Sequence, residues 1–176
     1  IYLRLRDRFR DTILLESTDS HASENSYSFI GVNAIGGIEI SSLNQIEYKY
    51  PNQDPEKETI QNVNAAPDRI WSYMQQYEMS GQEVKEAAFA QGLYGYTSYD
   101  AIPFFDTIKF KEGAPAIPLM RYRLYQYVIA FNHFKDELFI CENKLNGIHS
   151  EYDALVSYIK SCLLYTSPSP RDAHDL

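Results

Sequence analysis

The alternating run Met120–Phe131 sets the strongest limit on the fold of this chain. Large side chains recur along it between polar or smaller ones, which predicts a strand with one buried face. A polar turn follows at 132–136, and Leu138–Cys141 is apolar again. The two segments therefore predict an antiparallel hairpin. The large residues of the first strand include Tyr122, Leu124, Tyr127 and Ile129.

The N-terminal third of the chain predicts further strands, which follow one another through short connections. Such a meander is typical of an antiparallel sheet. Gly36 and Gly37 predict a bulge or kink within it. A strand rich in alanine, glycine and tyrosine is predicted at 87–96. The early strands are predicted at 12–16, 27–32, 34–40 and 45–50.

Helical periodicity appears in three places. Residues 1–10 and 151–164 repeat apolar residues at helical spacing. Pro67 predicts the first turn of a helix that runs to about Met79 and ends at Ser80–Gly81. Together with the strands, these helices predict an α+β fold, with antiparallel β-sheets and flanking helices.

Two connecting segments have patterns of their own. Pro51–Pro67 contains three prolines and many polar residues, which predicts a linker or mobile surface loop. Glu56 and Glu58 are expected to be solvated within it. Residues 99–105 predict a short helix or turn, with the carboxylate of Asp100 as its cap.

Composition excludes several classes of function. The chain has 176 residues and a net charge of −8, which suits one globular domain and disfavours nucleic acid or anionic membranes as partners. No apolar run approaches the ~18 residues of a membrane-spanning helix. The arginines within residues 4–10 are interrupted by apolar and acidic residues, which is more typical of a solvated helix face than of a phosphate site. Cys141 lies in an apolar strand without a native partner, so a cytoplasmic, reducing location is predicted.

One stretch of the chain suggests a ligand site. Ile13–Ser17 ends in an acid and a hydroxyl after three apolar residues, and Tyr27–Gly31 follows after a polar spacer. If the two segments pair as strands, aromatic side chains stand beside the polar corner of Glu16 and Ser17. A carboxylate and a hydroxyl at a strand end can hold the ammonium group of a small molecule. The alternative is that both residues simply begin the polar loop 18–25.

The same stretch carries a family resemblance. Leu14-Leu15-Glu16-Ser17, a polar spacer and Tyr27-Ser28-Phe29-Ile30-Gly31 resemble the N-terminal region of anthranilate synthase component I. Gly92-Leu93-Tyr94-Gly95-Tyr96-Thr97-Ser98-Tyr99-Asp100 resembles the Gly-x-x-Gly-Tyr-x-x-Tyr-Asp signature of that family. The resemblance runs from residue 1 to about residue 160. It implies a truncated N-terminal part of the anthranilate synthase component I fold.

The resemblance implies a lyase of tryptophan biosynthesis. In that family, component I converts chorismate and ammonia to anthranilate and pyruvate with Mg²⁺, and a glutamine amidotransferase subunit, component II, supplies the ammonia. The chorismate-binding region lies C-terminal to the part that this chain resembles. No metal site or catalytic centre is predicted here, because His21, His133 and His149 stand in polar turns without an acid or cysteine at ligand spacing. This chain alone is therefore expected to be inactive.

The resemblance also implies a feedback site for L-tryptophan between the N-terminal and C-terminal regions. Carried over by position, Glu16 faces the ammonium group of the ligand and Ser17 donates its hydroxyl. Tyr27 falls where some relatives carry a basic residue, and its ring can stack on the indole instead. The other candidates are Ser28 and, as lining residues, Leu15 and Phe29.

Two alternatives stay open. One is aminodeoxychorismate synthase component I of the folate pathway, which the two motifs separate less well from anthranilate synthase. The other is a non-catalytic module that binds an amino acid or another protein.

The ends of the chain carry a separate expectation. The domain is predicted to span residues 1–161 and to be incomplete at both ends, because Ile1 already lies within an amphipathic pattern. Cys162–Asp172 resembles the translation of a sequencing adapter, so residues 162–176 are predicted to be a non-native tail. An exposed edge or apolar patch is expected where the rest of the protein docks.

Overall fold

The computed structural model describes residues 1–16, 26–77, 85–108 and 115–163. Within these residues the α-helices are α1 at Tyr2–Arg8, α2 at Ala66–Met74 and α3 at Tyr152–Leu163. The strands are β1 at Ile13–Leu15, β2 at Tyr27–Ser42, β3 at Gln45–Lys49, β4 at Glu56–Thr59, β5 at Tyr94–Thr97, β6 at Met120–Asn132 and β7 at Glu137–Glu142. Short 3-10 helices lie at Val63–Ala65, Lys85–Ala90 and Tyr99–Phe104.

The strands of the described residues form one antiparallel sheet around β2 and β6. These two strands pair from Tyr27 opposite Asn132 to Ile40 opposite Met120. β1 pairs with the first half of β2, and β3, followed by β4, extends the sheet beside the second half. β5 pairs with the first half of β6, and β7 pairs with its second half. The α+β class and the hairpin of β6 and β7 are confirmed.

β2 is one strand of 16 residues, so the prediction of two strands at 27–32 and 34–40 is wrong. The bulge predicted at the glycines is confirmed, because the register with β6 shifts between Ala34 and Gly36. A bulge bends a strand without ending it, and pairing with β6 continues on both sides. Gly37 has a φ of 151°, a conformation that favours glycine.

Helices and 3-10 segments cover the two halves of the sheet through separate apolar clusters. α1 and α3 pack on the first half of β2 and on β6, while α2 packs on the second half. The 3-10 helix Lys85–Ala90 contributes to a third cluster against β6. The buried side chains that these helical segments and the 3-10 helix Tyr99–Phe104 supply include Leu5, Leu155, Ile159, Tyr73, Phe104 and Ala90.

The segment Pro51–Pro67 is not a plain linker, because it holds β4 and a 3-10 helix. β4 contains no apolar residue and forms by backbone pairing with β3. No hydrophobic pattern in the sequence could therefore predict it. Glu56 is exposed as predicted. Glu58 is half-buried instead, and it accepts hydrogen bonds from the Tyr48 hydroxyl at 2.6 Å and from Arg69 Nε at 3.0 Å.

The predicted strand 87–96 is wrong over its first half, where the chain forms a 3-10 helix that ends at Ala90. Gly92 then adopts a φ of 104°, and the strand begins only at Tyr94. Asp100 lies in the first turn of its 3-10 helix and does not cap it, because Ser98 occupies the N-cap position and no side-chain cap bond forms there.

Helix predictions fared better. The helices at 1–10 and 151–164 and the position of Pro67 in a first turn are confirmed, although α2 ends at Met74 rather than near Met79. The predicted loop 18–25, the helix end at Ser80–Gly81 and residues 164–176 lie outside the described residues. No helix in the described part of the chain is both long and apolar enough to cross a membrane.

Candidate functional site

The pairing of β1 with β2 brings the two predicted motif segments together. Leu15 lies directly opposite Phe29, and Ile13 lies opposite Gly31. Partners in an antiparallel pair project to the same face, so Leu15 and Phe29 share one face of the sheet. Glu16 follows the last paired residue of β1 and is exposed to solvent.

An aromatic wall stands on that face. Phe29 stacks along β2 against Tyr27, with ring centroids 6.0 Å apart. Phe89 lies 4.9 Å from the Tyr27 ring and 5.6 Å from the Phe29 ring, between centroids. Such tilted and edge-on contacts between rings are favourable beyond the area they bury. The aromatic wall consists of Tyr27, Phe29, Phe89, Tyr94 and Phe139.

Hydrogen bonds hold the polar ends of two wall residues. The Tyr27 hydroxyl accepts a hydrogen bond of 2.9 Å from Nδ2 of Asn132, the last residue of β6. The Tyr94 hydroxyl donates to the Phe89 carbonyl, which ties β5 to the 3-10 helix that carries Phe89. Burial raises the pKa of Tyr94 to about 12, so this hydroxyl stays protonated and remains a donor.

Ser28 does not join the wall. Side chains alternate along a strand, so Ser28 projects to the face opposite Tyr27 and Phe29. It is buried there, and its hydroxyl lies 2.7 Å from His133 Nε2. The structure therefore places Leu15, Tyr27 and Phe29 on one face of the sheet and Ser28 on the other. Glu16 follows Leu15 at the exposed end of β1. Ser17 lies outside the described residues.

The wall residues Phe89 and Phe139 were missed from the sequence. Both come from segments far from the first motif, and no local pattern connects them to it. A signal did exist for Tyr94, since it belongs to the second motif, Gly92–Asp100. The contact between the Tyr94 and Phe29 rings, 5.8 Å between centroids, therefore links the two motifs physically.

Glycines in the two motifs are explained by close packing. A Cβ atom on Gly31 would lie 2.7 Å from the ring of Tyr125 and 2.9 Å from Ile13, closer than real side chains approach. A Cβ atom on Gly95 would collide with the carbonyl oxygen of Arg121. Each motif therefore contains a glycine where another element of the sheet leaves no room for a side chain.

Comparison with known proteins gives these motifs a context. An anthranilate synthase component 1 from Bacillus pumilus is 27% identical over 146 residues, which cover 82% of this chain and 27% of that protein. One from Methanothermobacter marburgensis is 29% identical over 147 residues, which cover 78% and 27%. One from Lactococcus lactis is 22% identical over 171 residues, which cover 94% and 35%. This chain is similar to anthranilate synthase component 1.

The similarity confirms the resemblance predicted from the two motifs. The chain spans about a third of the length of the anthranilate synthase component 1 proteins it matches. A crystal structure of anthranilate synthase component I from Streptococcus pneumoniae TIGR4 covers 92% of this chain and 35% of its own, with 18% identity and a TM-score of 0.47. No family model matches the chain.

Among the described residues, no three histidine, cysteine, aspartate or glutamate side chains come close enough together to hold a metal ion. His133 lies in the turn after β6 and contacts Ser28. His149 lies between β7 and α3, and its backbone carbonyl accepts a hydrogen bond from Gln126.

Proposed function

We propose that this chain is the N-terminal regulatory part of an anthranilate synthase large subunit. Its enzyme converts chorismate and ammonia derived from glutamine to anthranilate and pyruvate, and this chain contributes one half of the tryptophan feedback site. The relatives named anthranilate synthase component 1 support the family assignment. The observation that supports the regulatory role is the pairing of Leu15 with Phe29, because Glu16 directly follows Leu15 in the chain.

The chemistry of this corner suits an aromatic amino acid. The Glu16 carboxylate accepts hydrogen bonds from the ligand ammonium, a charged contact of about 1.5–3 kcal/mol. The wall around Tyr27 and Phe29 presents ring faces and edges to an indole, at about 0.5–1.5 kcal/mol for each good ring pair. Ser17 follows Glu16 in the chain and supplies a hydroxyl beside the same ammonium.

Feedback inhibition requires more than binding. Tryptophan shifts the enzyme to its inactive state only if it binds that state more tightly. We propose that the second half of the site lies in sequence outside this chain, so that closure of the two parts around tryptophan supplies the difference in affinity. The same proposal assigns chorismate, Mg²⁺ and the amidotransferase partner to the complete enzyme.

The experiment uses the complete protein encoded by the gene that carries this chain. Anthranilate formation is followed by fluorescence with chorismate, Mg²⁺ and ammonium, over a range of tryptophan concentrations. Ser17→Phe fills the corner, and Glu16→Gln removes its charge. Both are expected to raise the half-inhibitory tryptophan concentration by about tenfold or more and to leave turnover within about twofold. Ser72→Phe, at an exposed position of α2, is the matched control and should respond as the wild type does.

Each outcome decides between functions. Wild-type sensitivity to tryptophan in both Ser17→Phe and Glu16→Gln contradicts the regulatory site. Formation of 4-amino-4-deoxychorismate in place of anthranilate assigns the protein to the folate pathway. A complete protein that forms neither product while it binds an amino acid is the non-catalytic module.

A further inference from the structure

A second polar site lies at the bulge of β2, apart from the aromatic wall residues at the start of that strand. A cavity of about 220 Å³ opens there, and we call it the cationic cavity. Two basic side chains line it, Lys49 at the end of β3 and Arg123 in β6. Its other lining residues include Asp11, Tyr50 and Gln53.

The register of the sheet places Lys49 and Arg123 on either side of Gly37, beside the cationic cavity. Gly37 is the direct cross-strand partner of Lys49 on one side and of Arg123 on the other. The two basic residues therefore stand two strand spacings apart, roughly 10 Å between Cα atoms, with no side chain between them. A Cβ atom on Gly37 would collide with the Tyr122 carbonyl and come within 2.8 Å of Arg123 Cδ. Glycine thus keeps the gap between the cations open.

The two cations at the cavity keep hydrogen-bond donors that their carboxylate partners do not use. Arg121 Nε and Arg123 Nη2 both donate to one oxygen of Glu39, Oε2, at 2.8 and 2.6 Å. One carboxylate therefore serves two guanidinium groups. Arg123 also reaches the Tyr122 carbonyl through Nη1, at 3.4 Å, and these two contacts use only part of its five N–H donors. The Arg123 side chain is only 11% exposed, so the remaining donors are costly to leave without a partner. Lys49 has a weaker carboxylate contact, 3.5 Å from Glu47.

The backbone around the cavity is held in place before any ligand arrives. The Tyr73 hydroxyl donates to the Lys49 carbonyl at 2.6 Å and accepts from the Gly37 amide at 2.7 Å. Tyr73 is fully buried, and its two hydrogen bonds hold β3 against β2 beside the cavity. A preorganised site loses little conformational freedom when a ligand binds.

We propose that the cationic cavity binds a small carboxylate. An arginine guanidinium presents paired donors that match the two oxygens of a carboxylate, and a lysine ammonium adds a second charged donor. Asp11 on the cavity wall repels ligands of high negative charge, which favours a compact mono- or dicarboxylate over a polyphosphate. This site does not depend on the tryptophan site, since the two share no residue.

The test titrates the 176-residue chain with malonate and follows amide chemical shifts by NMR, with chloride used to keep ionic strength constant. The expected result is a saturable shift of the amides around Gly37. Lys49→Gln and Arg123→Gln should each weaken malonate binding by about tenfold or more. Lys57→Gln is the matched control, because Lys57 also pairs with Glu47, at 3.8 Å, but does not line the cavity. Its affinity for malonate should stay within about twofold of the wild type.

A wild-type response that never saturates, or one that chloride alone reproduces, overturns the proposal. So does an equal loss of affinity in Lys57→Gln and Lys49→Gln, because that result reports net charge and not a site. If Arg123→Gln does not fold, the comparison of Lys49→Gln with Lys57→Gln still decides. Lys57 is exposed and Lys49 is half-buried, and neither belongs to an apolar cluster of the core.

Discussion

Replacing Tyr73 with phenylalanine removes one oxygen atom from beneath the bulge of β2. That oxygen accepts from the Gly37 amide at 2.7 Å and donates its single proton to the Lys49 carbonyl at 2.6 Å. The Tyr77 hydroxyl, 2.9 Å away, must therefore be the donor in its own contact with Tyr73. Loss of the oxygen leaves two backbone groups without a partner, and each costs about 1–3 kcal/mol when buried. Because the Lys49 carbonyl is only partly buried, we expect Tyr73→Phe to lower the free energy of unfolding by about 2–4 kcal/mol.

Equilibrium urea unfolding, followed by circular dichroism, measures this loss as a lower midpoint at an unchanged slope. Gly36 supplies a second test, since a Cβ atom there would lie 2.8 Å from the Tyr73 oxygen. Gly36→Ala should therefore cost less in the Tyr73→Phe background than in the wild type, with a coupling energy of about 1 kcal/mol. Tyr77→Phe is the control, and it should cost no more than about 1 kcal/mol because it removes only one donor. A Tyr73→Phe protein within about 0.5 kcal/mol of the wild type, or additive costs in the double variant, would refute the reasoning.

Three further predictions concern charge and ligands. Burial raises the pKa of the Glu39 carboxyl, but hydrogen bonds from its two arginine partners outweigh this and hold the pKa below its usual range. The stability it contributes is therefore present above the unfolded pKa of about 4.5 and is lost as the pH falls through the folded value, so Glu39→Gln should show a flatter loss of unfolding free energy below about pH 5. Urea midpoints over that range check this, and equal slopes for the two proteins would contradict it. Ser28→Ala should cost about 1 kcal/mol through the lost contact with His133 but leave tryptophan inhibition of the complete protein unchanged, unlike Glu16→Gln. Calorimetry of this chain alone should show no tryptophan binding in the micromolar range, because the second half of the proposed pocket is absent; micromolar affinity would count against a shared site.

Much of the sheet could be predicted because its strands carry strong local patterns. The hairpin of β6 and β7 follows from alternation on both sides of a polar turn. β4 could not be predicted in the same way, since Glu56–Thr59 has no apolar residue and forms only by pairing with β3. The division of β2 into strands at 27–32 and 34–40 was wrong for the complementary reason. The local irregularity near the bulge does not end the strand, because pairing with β6 continues on both sides of it.

The candidate site was predictable only as far as the motifs reach. The closeness of Leu15 and Phe29 follows from the first motif, whose two segments pair as β1 and β2. The position of Ser28 was also contained in the sequence, because a strand that directs Tyr27 and Phe29 to one face must direct Ser28 to the other. Phe89 could not be found, since it reaches the wall through a 3-10 helix whose position depends on tertiary contacts with β6 and β7.

The length of β2 and β6 has a mechanical consequence. Both strands pass without interruption from the cluster beneath α1 and α3 to the cluster beneath α2. The two halves of the sheet are therefore joined through one β2–β6 pair, from Tyr27 opposite Asn132 to Ile40 opposite Met120. The amides of these two strands should therefore exchange with solvent deuterium together, at the rate of global unfolding, while those of α1 and β4 at the periphery exchange sooner.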